Sequence, residues 1–166
     1  MLTRKGKYGV KALVHLARLN PDEVASGAEI AEANTIPKKF LDAILSELRR
    51  EGMVATRKGP GGGYSLRRDP ASITLAEVVR VLDGPIAPLP CASRTAYRPC
   101  DDCASEAECT VRIAMIEVRN AMADILENLT LLDMVEGRSP ARGRRPRAPR
   151  RRPAREAPAR RRAAAR

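Results

Sequence analysis

One proline constrains this chain more than any other residue. In SGAEIAEANTIPKKFLDAILSELRREG, residues 26–52, Pro37 interrupts a stretch that otherwise favours helix throughout. Proline has no N–H to donate and fits only the first turn of a helix, so the segment divides into two helices with a tight turn at NTIP. Ser26 caps the first, expected over residues 27–33, and Glu29 three positions on completes a capping box. The second is expected from Pro37 to Arg50, with Phe40, Leu41, Ile44, Leu45 and Leu48 on its inner face and Glu51-Gly52 as its stop. Upstream, a helix from residue 3 or 5 to 19 presents Tyr8, Val10, Ala12, Leu13, Leu16 and Ala17 before the Asn20-Pro21 break, and its lone His15 reads as structural. Two short helices joined by a tight turn behind a scaffold helix form a helix-turn-helix.

The residues after Gly52 sharpen that pattern. Met53 to Thr56 and Tyr64 to Leu66 are short apolar runs joined by RKGPGGG, a β-hairpin with a glycine-rich tip. Neither GxxxxGK[ST] nor GxGxxG is present, so the glycines are not a nucleotide loop. A hairpin after a helix-turn-helix makes a winged helix. Arg57 and Lys58 sit where the wing meets DNA, glycines such as Gly61 let its backbone come close, and Tyr64 closes the tip, so all four are candidate DNA contacts. On the second helix, Lys38 and Lys39 lie in the first turn, suited to phosphate or guanine. A solvated surface hairpin with incidental charges is the plainer alternative.

Charge agrees with a nucleic-acid partner once it is located. The net +11 is concentrated in the tail, where residues 138–166 hold 13 Arg against one Glu; in the body, residues 1–68 carry +6 and residues 69–137 carry −7. The N-terminal half is the basic half. The tail, rich in Arg, Pro and Ala, cannot bury a core and is expected to be disordered, adding salt-sensitive attraction to nucleic acid or nothing at all. An RNA-binding reading finds no stacking aromatics beside it. A single His, with no catalytic triad, paired carboxylates or nucleotide loop, argues against an enzyme. No window reaches a membrane span, and the N-terminus has no signal-peptide pattern. A cytoplasmic protein is expected, whose cysteines serve metal or redox chemistry rather than structural disulfides.

Thr74 to Leu82 reads as a fourth helix ended by Gly84. Beyond it, PIAPLPCASRTAYRPCDDCASEAEC lacks helical period and holds all four cysteines, Cys91, Cys100, Cys103 and Cys109, in the spacing C-x8-C-x2-C-x5-C. Thiolates ligate zinc, iron-sulfur clusters and copper(I) alike, so spacing does not choose the metal, and an unmetallated thiol or disulfide switch is a further option. From Thr110 to about Leu132, Val111, Met115, Val118, Met122, Ile125, Leu129 and Leu132 form an a/d stripe over three heptads, expected to cross a second copy as a dimerisation helix. Dimerisation would pair two recognition helices about one turn of DNA apart.

MLTRKGKYGVKAL, IAEANTIPKKFLDAILSELRREGMV and RKGPGGGYSL, followed by a cysteine-bearing loop and a long helix, resemble the Rrf-type winged-helix regulators over residues 1 to about 136. The resemblance implies a homodimeric transcription factor on double-stranded DNA, often holding an iron-sulfur cluster (2Fe-2S or 4Fe-4S) that tunes DNA affinity. It puts Lys58 where relatives carry an arginine that enters the minor groove. It puts Lys39, Asp42 and Ala43 at base-facing positions, with Asp42 able to accept from cytosine N4. The family's sensors use three cysteines in this loop. A fourth ligand, His in some members and an N-terminal Asp in others, meets Arg112 and Lys7 or Tyr8 here, so Cys100 is the simplest replacement. Rivals are ligation by Cys91, Cys100 and Cys109 with Cys103 free, and a zinc site using all four thiolates. The expected fold is mainly α with a small β-hairpin: a winged helix-turn-helix domain over residues 1–83, a cysteine-rich loop over 84–109, a long dimerisation helix over 110–136 and the tail over 137–166.

Overall fold

A computed structural model of the chain describes residues 2–103 and 105–138. The Arg-rich tail beyond 138 lies outside the described residues. The scaffold helix α1 (Arg4–Ala17) is followed by α2 (Gly27–Asn34) and α3 (Lys38–Arg50), then by a hairpin of β1 (Val54–Arg57) and β2 (Gly63–Leu66). After these come α4 (Leu75–Leu82), the cysteine loop, α5 (Thr110–Glu127) and α6 (Leu131–Val135), with short 3-10 turns at Pro70–Ser72 and Pro90–Ala92. No helix among the described residues is long and apolar enough to cross a membrane.

Local chemistry sets the boundaries. Ser26 Oγ accepts from the Glu29 N–H at 3.2 Å while Glu29 Oε2 accepts from the Ser26 N–H at 2.6 Å, and Thr74 with Glu77 repeats the same reciprocal box at α4. Each such cap stabilises by about 1 kcal/mol. Between α2 and α3 the chain reverses through Thr35, held at φ 54°, and the Ile36 N–H returns to the Ala31 carbonyl at 2.9 Å. Pro37 caps α3 without a side-chain hydrogen bond, which starts that helix one residue later than expected.

Leu13, Ile30, Leu41, Ile44, Leu45, Leu48, Val54, Ile73 and Val78 fill one core under the helix-turn-helix. Phe40 is not among them. It is 59% exposed, a departure from the inner face expected for it. The four leucine and isoleucine positions at 41, 44, 45 and 48 already complete the buried stripe, and Phe40, about 100° from Leu41 round the helix, falls on its shoulder.

The wing gains a third partner that the sequence conceals. β1 and β2 pair antiparallel with Val54 opposite Leu66 and Arg57 opposite Gly63, and Ala25, just before α2, exchanges backbone hydrogen bonds with Tyr64 at 2.8 and 3.0 Å. This explains part of the glycine run: a Cβ on Gly63 would stand 2.5 Å from the Ala25 carbonyl oxygen, and one on Gly62 would stand 2.3 Å from the Arg57 carbonyl oxygen. Those two glycines answer to the chain's own backbone. The tip glycines Gly59 and Gly61 are exposed at φ 99° and 70°.

The long C-terminal helix is shorter than its stripe. α5 ends at Glu127 with Asn128 as its cap, so Leu129 and Leu132 do not continue it, correcting the single helix expected through residue 132. Thr130 and Asp133 form a third capping box that opens α6. There the Leu75 N–H donates to the Leu129 carbonyl at 2.8 Å, the Leu131 N–H donates to the Ile73 carbonyl at 3.0 Å, and Leu131 is wholly buried in the winged-helix core.

Candidate nucleic-acid interface and cysteine centre

α3 lies with its apolar side on the core and turns Lys38, Lys39, Phe40, Asp42 and Ala43 outward. Lys38 Nζ donates to both carboxylate oxygens of Asp42, at 2.9 and 2.8 Å, in an i,i+4 pair whose side chains are 57% and 49% exposed. Such an exposed pair contributes little to stability, about 0.3–0.5 kcal/mol, but it orients the carboxylate. Lys39 and Ala43 stand exposed between them and Phe40.

On the wing the two cations have different surroundings. Arg57 folds back, its guanidinium donating to the Gly61 carbonyl at 3.1 Å and to the Asp22 carbonyl at 3.4 Å, which braces the tip against the α1–α2 loop. Lys58 is exposed at the tip. Tyr64 is half-buried, its ring over Gly27 and beside the core. Thus Lys38, Lys39, Asp42, Lys58 and Gly61 are surface groups, whereas Arg57 and Tyr64 also hold the wing in place.

The four cysteines, spread over 19 residues, gather into one run of thiols at the start of α5. Cys91 is buried in the Pro90–Ala92 turn, and Cys109 is the N-cap of α5, its Sγ accepting from the Arg112 N–H at 3.4 Å. That hydrogen bond, at the electropositive end of a helix, lowers the Cys109 thiol below its ordinary pKa. Cys103 Sγ donates to Cys109 Sγ at 3.8 Å and is itself raised by that bond. The Cys100 thiol is pushed up to about 12, chiefly by its hydrogen bond to Cys91, then by burial, then by Cys103. Sulfurs of Cys100 and Cys103 and a carboxylate oxygen of Asp102 lie within 4.8 Å of one another, so Asp102 is a donor that the cysteine spacing offers no reason to single out.

Two charged side chains hold this loop. Arg112 Nε donates to the Cys91 carbonyl at 3.0 Å, and its Nη1 reaches the Glu106 carbonyl at 3.5 Å. Glu106 accepts from the Cys100 N–H at 2.9 Å and from the Tyr97 hydroxyl; these bonds lower the Glu106 carboxyl and raise the Tyr97 phenol. The donor set suits a soft metal: thiolates dominate it, and two thiolates on one tetrahedral metal with bonds of about 2.3 Å stand about 3.8 Å apart.

Helix-turn-helix, wing and a cysteine loop ahead of a long helix define a winged-helix regulator. A family model described as Rrf2, iron-dependent transcriptional regulator, matches residues 2–137. An rrf2-like HTH-type transcriptional regulator of Rhodobacter capsulatus is 46% identical over 85% of this chain and 96% of its own length. Among solved structures, CymR, the global cysteine regulator of Bacillus subtilis, superposes with a TM-score of 0.69 at 30% identity over 82% of this chain and 97% of that one. IscR of T. potens superposes at 0.64 with 26% identity, over 82% and 87% of the two chains. The chain belongs to the Rrf2 family of transcriptional regulators, DNA-binding proteins and not enzymes.

Proposed function

We propose that the chain is a cytoplasmic, homodimeric regulator that binds double-stranded DNA through α3 and the wing, and senses iron, redox or nitrosative state through an iron-sulfur cluster on Cys91, Cys100, Cys103 and Cys109. The observation that carries the sensing part is the convergence of four thiols at the start of α5, beside the elements that join it to the winged domain. A bound cluster supplies one-electron redox chemistry and sensitivity to oxidants. Cys109 would be the most readily ionised ligand, and the Arg112 cation would offset part of the thiolate charge. Cys100, tied through its backbone to Glu106, takes the place of a fourth ligand.

The dimer reading rests on α5. Val111, Val118 and Ile125 are exposed and Met115 and Met122 half-exposed along one face, an apolar strip that the described residues leave uncovered. Close by on the same helix, Arg119 is buried, its Nε and Nη1 without hydrogen-bond partners among the described residues.

A second reading is zinc. The 3.8 Å separation of the Cys103 and Cys109 sulfurs suits one tetrahedral ion as well as it suits a cluster iron. Anaerobic purification with metal and sulfide analysis separates the two. Visible charge-transfer absorption with stoichiometric iron and sulfide supports the cluster, and a colourless protein with one equivalent of zinc overturns it.

A further inference from the structure

Phe40 is the single phenylalanine of the chain, and between residues 3 and 83 it is the one large apolar side chain left exposed. The core does not need it, since Leu41, Ile44, Leu45 and Leu48 fill the buried side of α3. Phe40 stands in the first turn of the helix that the DNA-binding reading places in the major groove. Ala43, also exposed, lies one turn further along the same side. Polar neighbours frame the patch: Lys39 stands beside Phe40, while Lys38 and Asp42 are bonded to each other on the far side.

An apolar patch at the reading end of a recognition helix has one complementary group on DNA. Thymine alone presents an apolar substituent, its 5-methyl group, at the major-groove edge, whereas the other bases present hydrogen-bonding atoms that Phe40 and Ala43 cannot answer. We infer that Phe40 and Ala43 read the methyl groups of two adjacent thymines in each half-site. Three residues of helix rise about 4.5 Å, close to the ~3.4 Å step between base pairs, so neighbouring methyl groups fall within reach of the two side chains. Apolar contact carries specificity at these two positions, and Lys39 beside Phe40 supplies attraction to phosphate.

This inference rests on the DNA-binding reading, and the test separates the two. Duplexes are selected from a random pool with the full chain, and each thymine of the selected site is replaced in turn by deoxyuridine, which removes only the methyl group. Affinities are measured by fluorescence anisotropy at fixed salt for wild type, Phe40→Ala and Phe40→Leu. Losing one buried methyl contact is expected to weaken wild-type binding about fourfold at two adjacent positions per half-site. Phe40→Ala loses that sensitivity at one of the two, and Phe40→Leu retains it. An unchanged melting temperature of Phe40→Ala verifies that the fold is intact, as the exposure of the ring leads one to expect. A wild-type protein that selects a site but is indifferent to every deoxyuridine, or a Phe40→Ala variant as sensitive as wild type, overturns the inference and leaves DNA binding standing. A wild-type protein that enriches no sequence overturns both.

Discussion

Replacing Arg112 by methionine removes the guanidinium that ties the two ends of the cysteine loop while leaving α5 a good helix former. The side chain makes one well-formed charge-assisted hydrogen bond, Nε to the Cys91 carbonyl at 3.0 Å, and one at the limit of contact, Nη1 to the Glu106 carbonyl at 3.5 Å. The second counts for little. The first lands on a residue only 2% exposed, so its loss leaves a carbonyl without its donor at the foot of the site. A charged-group hydrogen bond contributes about 1.5–3 kcal/mol. Because Arg112 is itself half-buried, the lower part of that range applies, about 1.5–2 kcal/mol, which is about 10- to 30-fold in metal affinity. The Cys109 cap is unaffected because it uses the Arg112 backbone N–H. Cobalt(II) titration of the reduced apoprotein, followed by sulfur-to-cobalt charge-transfer absorption, reads this directly. Arg112→Lys keeps the charge without the fork and should fall between the two. Cobalt affinity for Arg112→Met within twofold of wild type would refute the reasoning, since Cys91 would then be held by its own turn.

Met122→Glu places a charge in the exposed strip of α5 and should abolish the proposed dimer, leaving a monomer in sedimentation, since burying an unpaired carboxylate costs several kcal/mol. Leu131→Ala should lower unfolding free energy by about 2–5 kcal/mol in chemical denaturation, because Leu131 is wholly buried in the winged domain. Lys58→Ala should weaken operator binding and reduce the slope of log K against log salt by about 1, the signature of one lost cationic contact. Cobalt binding should tighten as pH rises from 6 to 8. The raised Cys100 and Cys103 thiols stay protonated there and must each lose a proton on ligation, so the apparent association constant should climb at least about 100-fold per pH unit, and a pH-independent constant would exclude them as ligands.

Much of the winged domain is legible in the sequence because its signals are local. Ser26 with Glu29 and the placement of Pro37 each act over three or four residues and need no tertiary knowledge. The end of α5 is misread for the opposite reason. Leu129 and Leu132 keep the heptad step by coincidence, and they mask the T-x-x-D box at Thr130 that starts a new helix. Phe40 reads as inward because it adjoins Leu41, whereas a helix turns about 100° per residue and one neighbour is enough to leave the stripe. The hairpin is visible, but the approach of Ala25 to Gly63 depends on how α2 packs and has no signature in either segment. In the cysteine loop, residue type identifies the donors. Their order in space comes from Arg112 and Glu106, whose roles as ties appear only once the loop is closed.

α5 is fastened twice. At its start Arg112 holds it to the Cys91 turn, and past its end the chain is stitched between Ile73 and Leu75, with Arg80 and Glu127 paired at 2.5 Å nearby. Eighteen residues of helix are about 27 Å long. A beam fixed at both ends transmits no swing. If the cysteine fastening alone gives way, the beam becomes a lever whose fulcrum is the buried Leu131 region, and a tilt of about 10° displaces its free end by about 5 Å over that length. That is more than one base-pair step, so in the proposed dimer, where α5 carries the second copy, release at the thiols would change the spacing of the two DNA-binding domains by more than a base pair.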